Sequence, residues 1–259
     1  MTVNIPVSLL DSLHAIAIDA GKAILDVYNS NFQVDSKDDR SPVTEADRRA
    51  EDLITQRIKA DIGEAFPIIG EEAFSEGRAP VIGDTPFWLV DPLDGTKEFV
   101  SRNGEFTVNI ALIESGRPVL GVVHAPAIKQ TFMGSPHGAS ASIGDARPQP
   151  IRCRTAPKNG LTALVSRSHS SPETDEFLKN YTIKDEISSG SSLKFCVVAR
   201  GLADIYPRLG RTMEWDTAAG HAVLKAAGGS VKTLEGRELS YGKPGFENPH
   251  FVAWGAQGK

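Results

Sequence analysis

The stretch from Phe87 to Phe99, FWLVDPLDGTKEF, constrains the chain more than any other. Phe87-Trp88-Leu89-Val90 is an apolar run of the kind that forms a buried strand. This reading ends the strand at Asp91-Pro92, because proline has no N–H for a ladder, and turns the chain at Asp94-Gly95. Asp91 and Asp94 then share one turn at a strand end, with Thr96 just beyond. Two carboxylates so placed repel each other. A hard cation such as Mg2+ removes the repulsion, since it takes oxygen ligands from carboxylates and backbone carbonyls, and the carbonyl of Leu93 lies between the two. An ordinary turn accounts for the same residues, because Asp-Pro and Asp-Gly are common turn formers. On these residues alone both readings stay open.

The rest of the chain supplies an enclosing fold. Its 259 residues suit one large domain or two closely packed small ones. A net charge of −5 gives no global basic surface for a nucleic acid polymer. Cys153 and Cys196 are the only cysteines, which argues against a disulfide framework and fits a reducing cytoplasm. No apolar stretch approaches a bilayer span, no signal peptide is evident, and peripheral contact with the cytoplasmic face of the inner membrane stays open. Helical spacing predicts an amphipathic helix from Ser8 to Tyr28, a polar loop from Asn31 to Pro42, and a second helix starting at Thr44 with Asp47 as its capping-box partner. Gly63 stops that helix. Alternation from Val108 onward predicts an antiparallel meander. A boundary within Gly144–Pro157 separates an α+β half (1–155) from an α/β half (156–259), where strands and helices alternate.

Read one at a time, the remaining polar candidates have ordinary explanations. Glu71 and Glu72 suit the first turn of a helix, and Asp216 suits a helix cap. Beside Asp216, Ala218, Ala219 and Gly220 allow that helix close packing. His169, Lys194 and Arg208 read as solvated surface charges. His14, His124, His137, His221 and His250 lack metal-ligand spacing and read as structural or surface residues.

WLVDPLDGTKEF resembles the signature of the lithium-sensitive phosphatases, the inositol monophosphatase superfamily, and the resemblance runs in order from about residue 10 to 255. Where inositol monophosphatases proper read DGTTNF, this chain has Lys97-Glu98-Phe99, followed by Arg102-Asn103-Gly104-Glu105-Phe106. That variant resembles the CysQ branch, the 3′(2′),5′-bisphosphate nucleotidases. The resemblance implies a layered αβαβα sandwich and a phosphomonoesterase acting on adenosine 3′,5′-bisphosphate, with its 3′-phosphosulfate form as a second substrate. It implies two or three Mg2+ per site. Glu71 and the Leu93 carbonyl would complete one metal, Asp94 and Asp216 a second, and Asp91 would bridge them. Asp47 would hydrogen-bond Thr96, and that pair with Glu71 would orient the attacking water. His169, Ser191, Lys194 and Arg208 match nucleotide contacts, and Leu93, Gly95 and Thr96, with the acids Glu71, Asp94 and Asp216, would also line the substrate. The alternatives are an inositol or sugar phosphatase on the same fold, or a nucleotide-binding protein without activity. Oligomeric state is left undetermined.

Overall fold

The computed structural model describes residues 5–36, 42–144, 146–166 and 172–256. Helix α1 (Val7–Tyr28) buries Leu13, Ile16, Ala20, Ile24 and Val27 on one face, as the spacing predicts. A short antiparallel pair, β1 (Asp35–Ser36) and β2 (Pro42–Val43), stands where the sequence reads as a loop. Two-residue strands are too short to carry an alternation pattern, and the charged run Lys37–Arg40 lies outside the described residues. Helix α2 (Glu45–Asp61) opens with the expected capping box. Thr44 Oγ1 accepts from Ala46 N at 3.2 Å, and Asp47 Oδ2 accepts from Thr44 N at 2.7 Å. The helix closes at Gly63, whose N–H donates to Ile58 O from a φ of 129°.

Strand β3 (Ile68–Gly70) leads into helix α3 (Glu71–Ser75) and pairs in parallel with β4 (Phe87–Asp94). The sequence reading ends β4 at Asp91-Pro92, but the strand runs on to Asp94, with its register against the next strand shifted between Asp91 and Asp94. That irregularity accommodates the residue without an N–H, and Leu93 N donates to Asp91 Oδ1 at 3.0 Å across it. Gly95, at a φ of 90°, then starts helix α4 (Thr96–Val100). Helix α3 starts where Glu71 and Glu72 read as a helical first turn, whereas α4 has no sequence signal, because five residues are too few to show a periodic stripe. The predicted meander follows as β5 (Thr107–Glu114), β6 (Arg117–Ala125), β7 (Gln130–Ser135), β8 (Gly138–Ile143) and β9 (Gln149–Pro150), each antiparallel to its predecessor. With β3 and β4 these make a seven-stranded sheet in chain order.

The second sheet is built from β10 (Leu161–Ser166), helix α5 (Pro172–Leu178), β11 (Ile183–Ser189), helix α6 (Leu193–Ala199), β12 (Ile205–Arg208), helix α7 (Glu214–Ala226), β13 (Ser230–Thr233) and β14 (Phe251–Trp254). Its order is β11-β10-β12-β14-β13, with β10 parallel to β11 and β12, and β14 antiparallel to both its neighbours.

Strand alternation sorts the apolar residues into layers. Trp88, Val90, Val108, Ile110 and Val122 face α1 and α2. Phe87, Leu89, Ala111, Val123 and Phe132, from the other face of that sheet, share a core with α6, α7 and one face of the second sheet, including Tyr206 and Phe251. Ala163, Ile205 and Val252 face outward onto Leu178 of α5. The result is the expected αβαβα sandwich, and α7 sits in its middle. Close approach there demands small residues. A Cβ on Gly121 would lie 2.5 Å from Ala219 O, and one on Gly134 2.5 Å from Val223 Cα. Gly134→Ala should therefore cost about 1–3 kcal/mol through overpacking, measured by urea unfolding.

Candidate active site

The bulged end of β4, the first turn of α3 and the first turn of α7 converge. Glu71, Asp91 and Asp216 each bring a carboxylate oxygen to within 4.8 Å of the others. Each is held by its own local structure. Glu71 opens α3 directly after a strand parallel to β4, Asp91 is fixed by the bulge, and Asp216 Oδ2 accepts from Met213 N at 2.8 Å as the cap of α7. The capping reading of Asp216 and the helix-turn reading of Glu71 thus hold locally, and they aim both acids at Asp91. Burial, with repulsion from Asp94 and Glu71, pushes the Asp216 carboxyl well above the usual carboxylate range. All three donors are oxygens, the ligand type of a hard divalent cation, which would remove the repulsion. This cluster therefore fits a metal ion.

Asp94 stands beside the cluster and is tied to the second half of the chain. Its Oδ2 accepts from Ser192 N at 2.5 Å, with Thr107 Oγ1 at 3.5 Å and Asn109 Nδ2 at 3.4 Å nearby. Burial pushes its carboxyl up to about 6, against the pull of Lys194. Ser192 Oγ in turn donates to Asn109 Oδ1 at 2.7 Å, and Gly190 N donates to Glu105 Oε2 at 2.6 Å. The loop between β11 and α6 is thereby pinned to the first sheet. Ser191, at a φ of 46°, sits in it, and a Cβ on Gly95 would lie 3.3 Å from Ser191 Cβ. Thr96 Oγ1 lies 3.3 Å from Leu93 O and 3.5 Å from Asp47 Oδ1. Asp47 is itself steadied by Thr44 Oγ1, which donates to its Oδ2 at 2.8 Å.

Lys194 is not the solvated charge that its type suggests. It is buried, and its Nζ donates to Ser191 O at 2.7 Å and Ser189 O at 3.3 Å, lying 5.5 Å from the Tyr206 ring centre. Burial lowers its pKa to about 8, with Asp94 opposing and Arg208 assisting. Arg208, at the end of β12, is half-buried. One of its Nη atoms donates to Arg211 O at 3.1 Å, while its Nε is buried with no hydrogen-bond partner. Arg208 also acts electrostatically on Asp216. The structure therefore brings together Asp47, Glu71, Asp91, Leu93, Asp94, Gly95, Thr96, Ser191, Lys194, Arg208 and Asp216. His169 lies outside the described residues.

Several residues that build this site went unnoticed in the sequence. Glu51, Glu105, Asn109 and Ser192 supply the hydrogen bonds that place its loops. Buried Glu214 anchors the start of α7 by accepting from Gly242 N at 2.6 Å and Lys243 N at 2.9 Å and pairing with Lys243 Nζ at 2.6 Å. Glu105 belongs to the motif quoted above without a role attached to it, and Glu51 carried a signal in standing one helical turn beyond Asp47. Among the described residues no helix is long and apolar enough to cross a membrane.

Known proteins share this arrangement of sequence and fold. The chain is 44% identical over 246 residues to the 3′(2′),5′-bisphosphate nucleotidase CysQ of Escherichia coli K12, covering 94% of this chain and 98% of that one. The crystal structure of CysQ from Bacteroides thetaiotaomicron superposes with a TM-score of 0.79 at 37% identity, covering 96% and 97% of the two chains. An inositol monophosphatase structure from Anabaena superposes at 0.75 with 25% identity, covering 96% and 91%. The sequence model of the inositol monophosphatase family matches residues 7–257, and the chain belongs to that family.

Proposed function

We propose that this protein is a Mg2+-dependent phosphomonoesterase that removes the 3′-phosphate of adenosine 3′,5′-bisphosphate, giving AMP and phosphate, and that also accepts the 3′-phosphosulfate form. One observation carries the choice of substrate: a cluster of acids and a pair of buried or half-buried bases, Lys194 and Arg208, occupy the same site. An acid cluster charged with cations suits one phosphate. Two bases a short way off suit a second anion, since a lysine point charge and an arginine fork are both phosphate donors. The similarity to CysQ nucleotidases supports the same reading.

In this reading Glu71, Asp91, Asp94, Asp216 and the Leu93 carbonyl would hold two or three Mg2+. When bound, Mg2+ supplies Lewis acidity toward phosphoryl oxygens and water. The chain's own groups do the positioning. With its one hydrogen directed at Asp47, Thr96 Oγ1 presents lone pairs, so it accepts from a water and turns that water's oxygen toward phosphorus. A threonine hydroxyl is no base unaided, and the carboxylates of Asp47 and Glu71 give the proton somewhere to go. Lys194 and Arg208 fix the non-reacting phosphate, which converts remote binding energy into alignment of the reacting one. Ser191, His169 and Gly95 are proposed to contact the nucleotide as well.

A phosphate-release panel tests the proposal. Adenosine 3′,5′-bisphosphate should be hydrolysed in the presence of Mg2+ with a kcat/KM at least about tenfold above inositol 1-phosphate and fructose 1,6-bisphosphate. A preference for inositol 1-phosphate would return the site to the inositol monophosphatases proper. Nucleotide binding without metal-dependent phosphate release would mark a binding protein.

A further inference from the structure

We infer that Glu51 is a positioning residue for the metal centre: it holds the first turn of α3 so that Glu71 points at Asp91. The inference rests on the metal reading above and adds a residue to it. Helix α3 is too short to hold its own start, having five residues and no side-chain cap at Gly70. The N–H groups of its first turn need outside acceptors. Glu51 provides both, with Oε2 accepting from Glu72 N at 2.7 Å and Oε1 accepting from Ala73 N at 2.7 Å. Glu51 is only 6% exposed, so neither bond is shared freely with water.

The neighbouring backbone is shaped to let it in. A Cβ on Gly70 would collide with the Glu51 carboxyl group, so any other residue there would displace one or the other. Glu51 reaches α3 from α2, the helix that also carries Asp47 one turn earlier. Asp47 faces Thr96 and Glu51 faces the Glu71 turn. A single rigid helix therefore sets the spacing between Glu71 and the Asp47–Thr96 pair. Its inward face is anchored by Ala50, Ile54 and Ile58 in the core, which leaves little freedom for either carboxylate to drift.

Glu51→Gln tests this with Mn2+ as a paramagnetic probe of the intact protein, read by electron spin resonance in the absence of substrate. The amide keeps one acceptor but turns an NH2 toward the other N–H, so one of the two bonds is replaced by a clash of donors. The expected result is a Mn2+ dissociation constant raised about 10- to 100-fold, the range for residues that orient a ligand from one step out. Melting of the metal-free protein separates this from a general loss of fold, since a purely structural role would lower the melting temperature and leave Mn2+ affinity unchanged. Gly70→Ala, which leaves Glu51 intact but drives a methyl group at it, should weaken Mn2+ in the same direction. Wild-type Mn2+ affinity in Glu51→Gln or, should that variant not fold, in Gly70→Ala overturns the inference. Asp91→Asn runs alongside. If it loses Mn2+ while Glu51→Gln does not, the metal centre stands and the role of Glu51 falls. If Asp91→Asn binds Mn2+ like the wild type, both fall together.

Discussion

Asp216→Asn should move activity and metal-free stability in opposite directions. Asparagine keeps the acceptor that caps α7 through Met213 N, so the fold is retained. What it removes is a carboxylate raised by burial and by Asp94 and Glu71. Activity should fall by more than about 100-fold, because loss of a direct ligand exceeds the loss of an outer partner. Metal-free protein at pH 8 should instead gain about 1 kcal/mol, seen as a rise of about 2–4 °C in melting temperature. The sign follows from proton linkage. A carboxyl whose folded pKa lies above its unfolded one binds its proton more tightly in the native state, so stability falls as pH rises between the two values. For Asp94 that window runs from its ordinary 3.8 to about 6, and for Asp216 it opens upward from the same ordinary value, for burial and the neighbouring acids raise it too. Wild-type metal-free protein should therefore melt lower at pH 8 than at pH 5, through these groups, and Mg2+ should restore much of the difference. A variant that loses activity but shows no gain in metal-free stability would mean that these acids are not mutually repelling, and the metal assignment would lose its physical basis.

Arg208→Ala should raise the KM for adenosine 3′,5′-bisphosphate by roughly 10- to 150-fold, the equivalent of one charge-assisted hydrogen bond of about 1.5–3 kcal/mol. Adenosine 3′-monophosphate, which lacks the 5′-phosphate, should respond far less. Arg208 is the cleaner reporter, because the protein bond it makes, to Arg211 O, lies at the exposed end of the side chain. Lys194→Ala should show the same discrimination on top of a loss common to both substrates, since Lys194 also braces the Ser189–Ser191 backbone. Equal losses on the two substrates in Arg208→Ala would mean that this base does not read the 5′-phosphate, and the inositol or sugar phosphatase reading would regain ground.

The sequence revealed whatever was written locally. Asp91 and Asp94 stand just before Gly95 and Thr96 just after it, at the end of one apolar strand, so their shared neighbourhood needs no tertiary information. The same holds for the Thr44–Asp47 box, for the α1 stripe and for the meander. What stayed hidden depends on distant partners. Lys194 is buried because Tyr206 and the carbonyls of Ser189 and Ser191 enclose it, and no pattern around Lys194 announces this. Glu51 finds its acceptor role at Glu72 and Ala73, across a loop and a strand. The end of β4 was misplaced for a different reason: proline forbids a regular ladder, and a bulge is an irregular one. The gathering of Glu71, Asp91 and Asp216 rests on α7 docking into the middle of the sandwich, which the spacing of its small residues suggests but does not locate.

That docking gives the site a place in the history of each molecule. A chain emerging from the ribosome contains Glu71 and Asp91 long before Asp216 has been made, and the three oxygens meet only when α7 is seated against the first sheet. Glu71, Asp91 and Asp94 come from the first hundred residues, and the fourth acid joins them only from the second half. An ion held by Glu71, Asp91 and Asp216 together binds the completed fold, and its binding energy then adds to the stability of the native state.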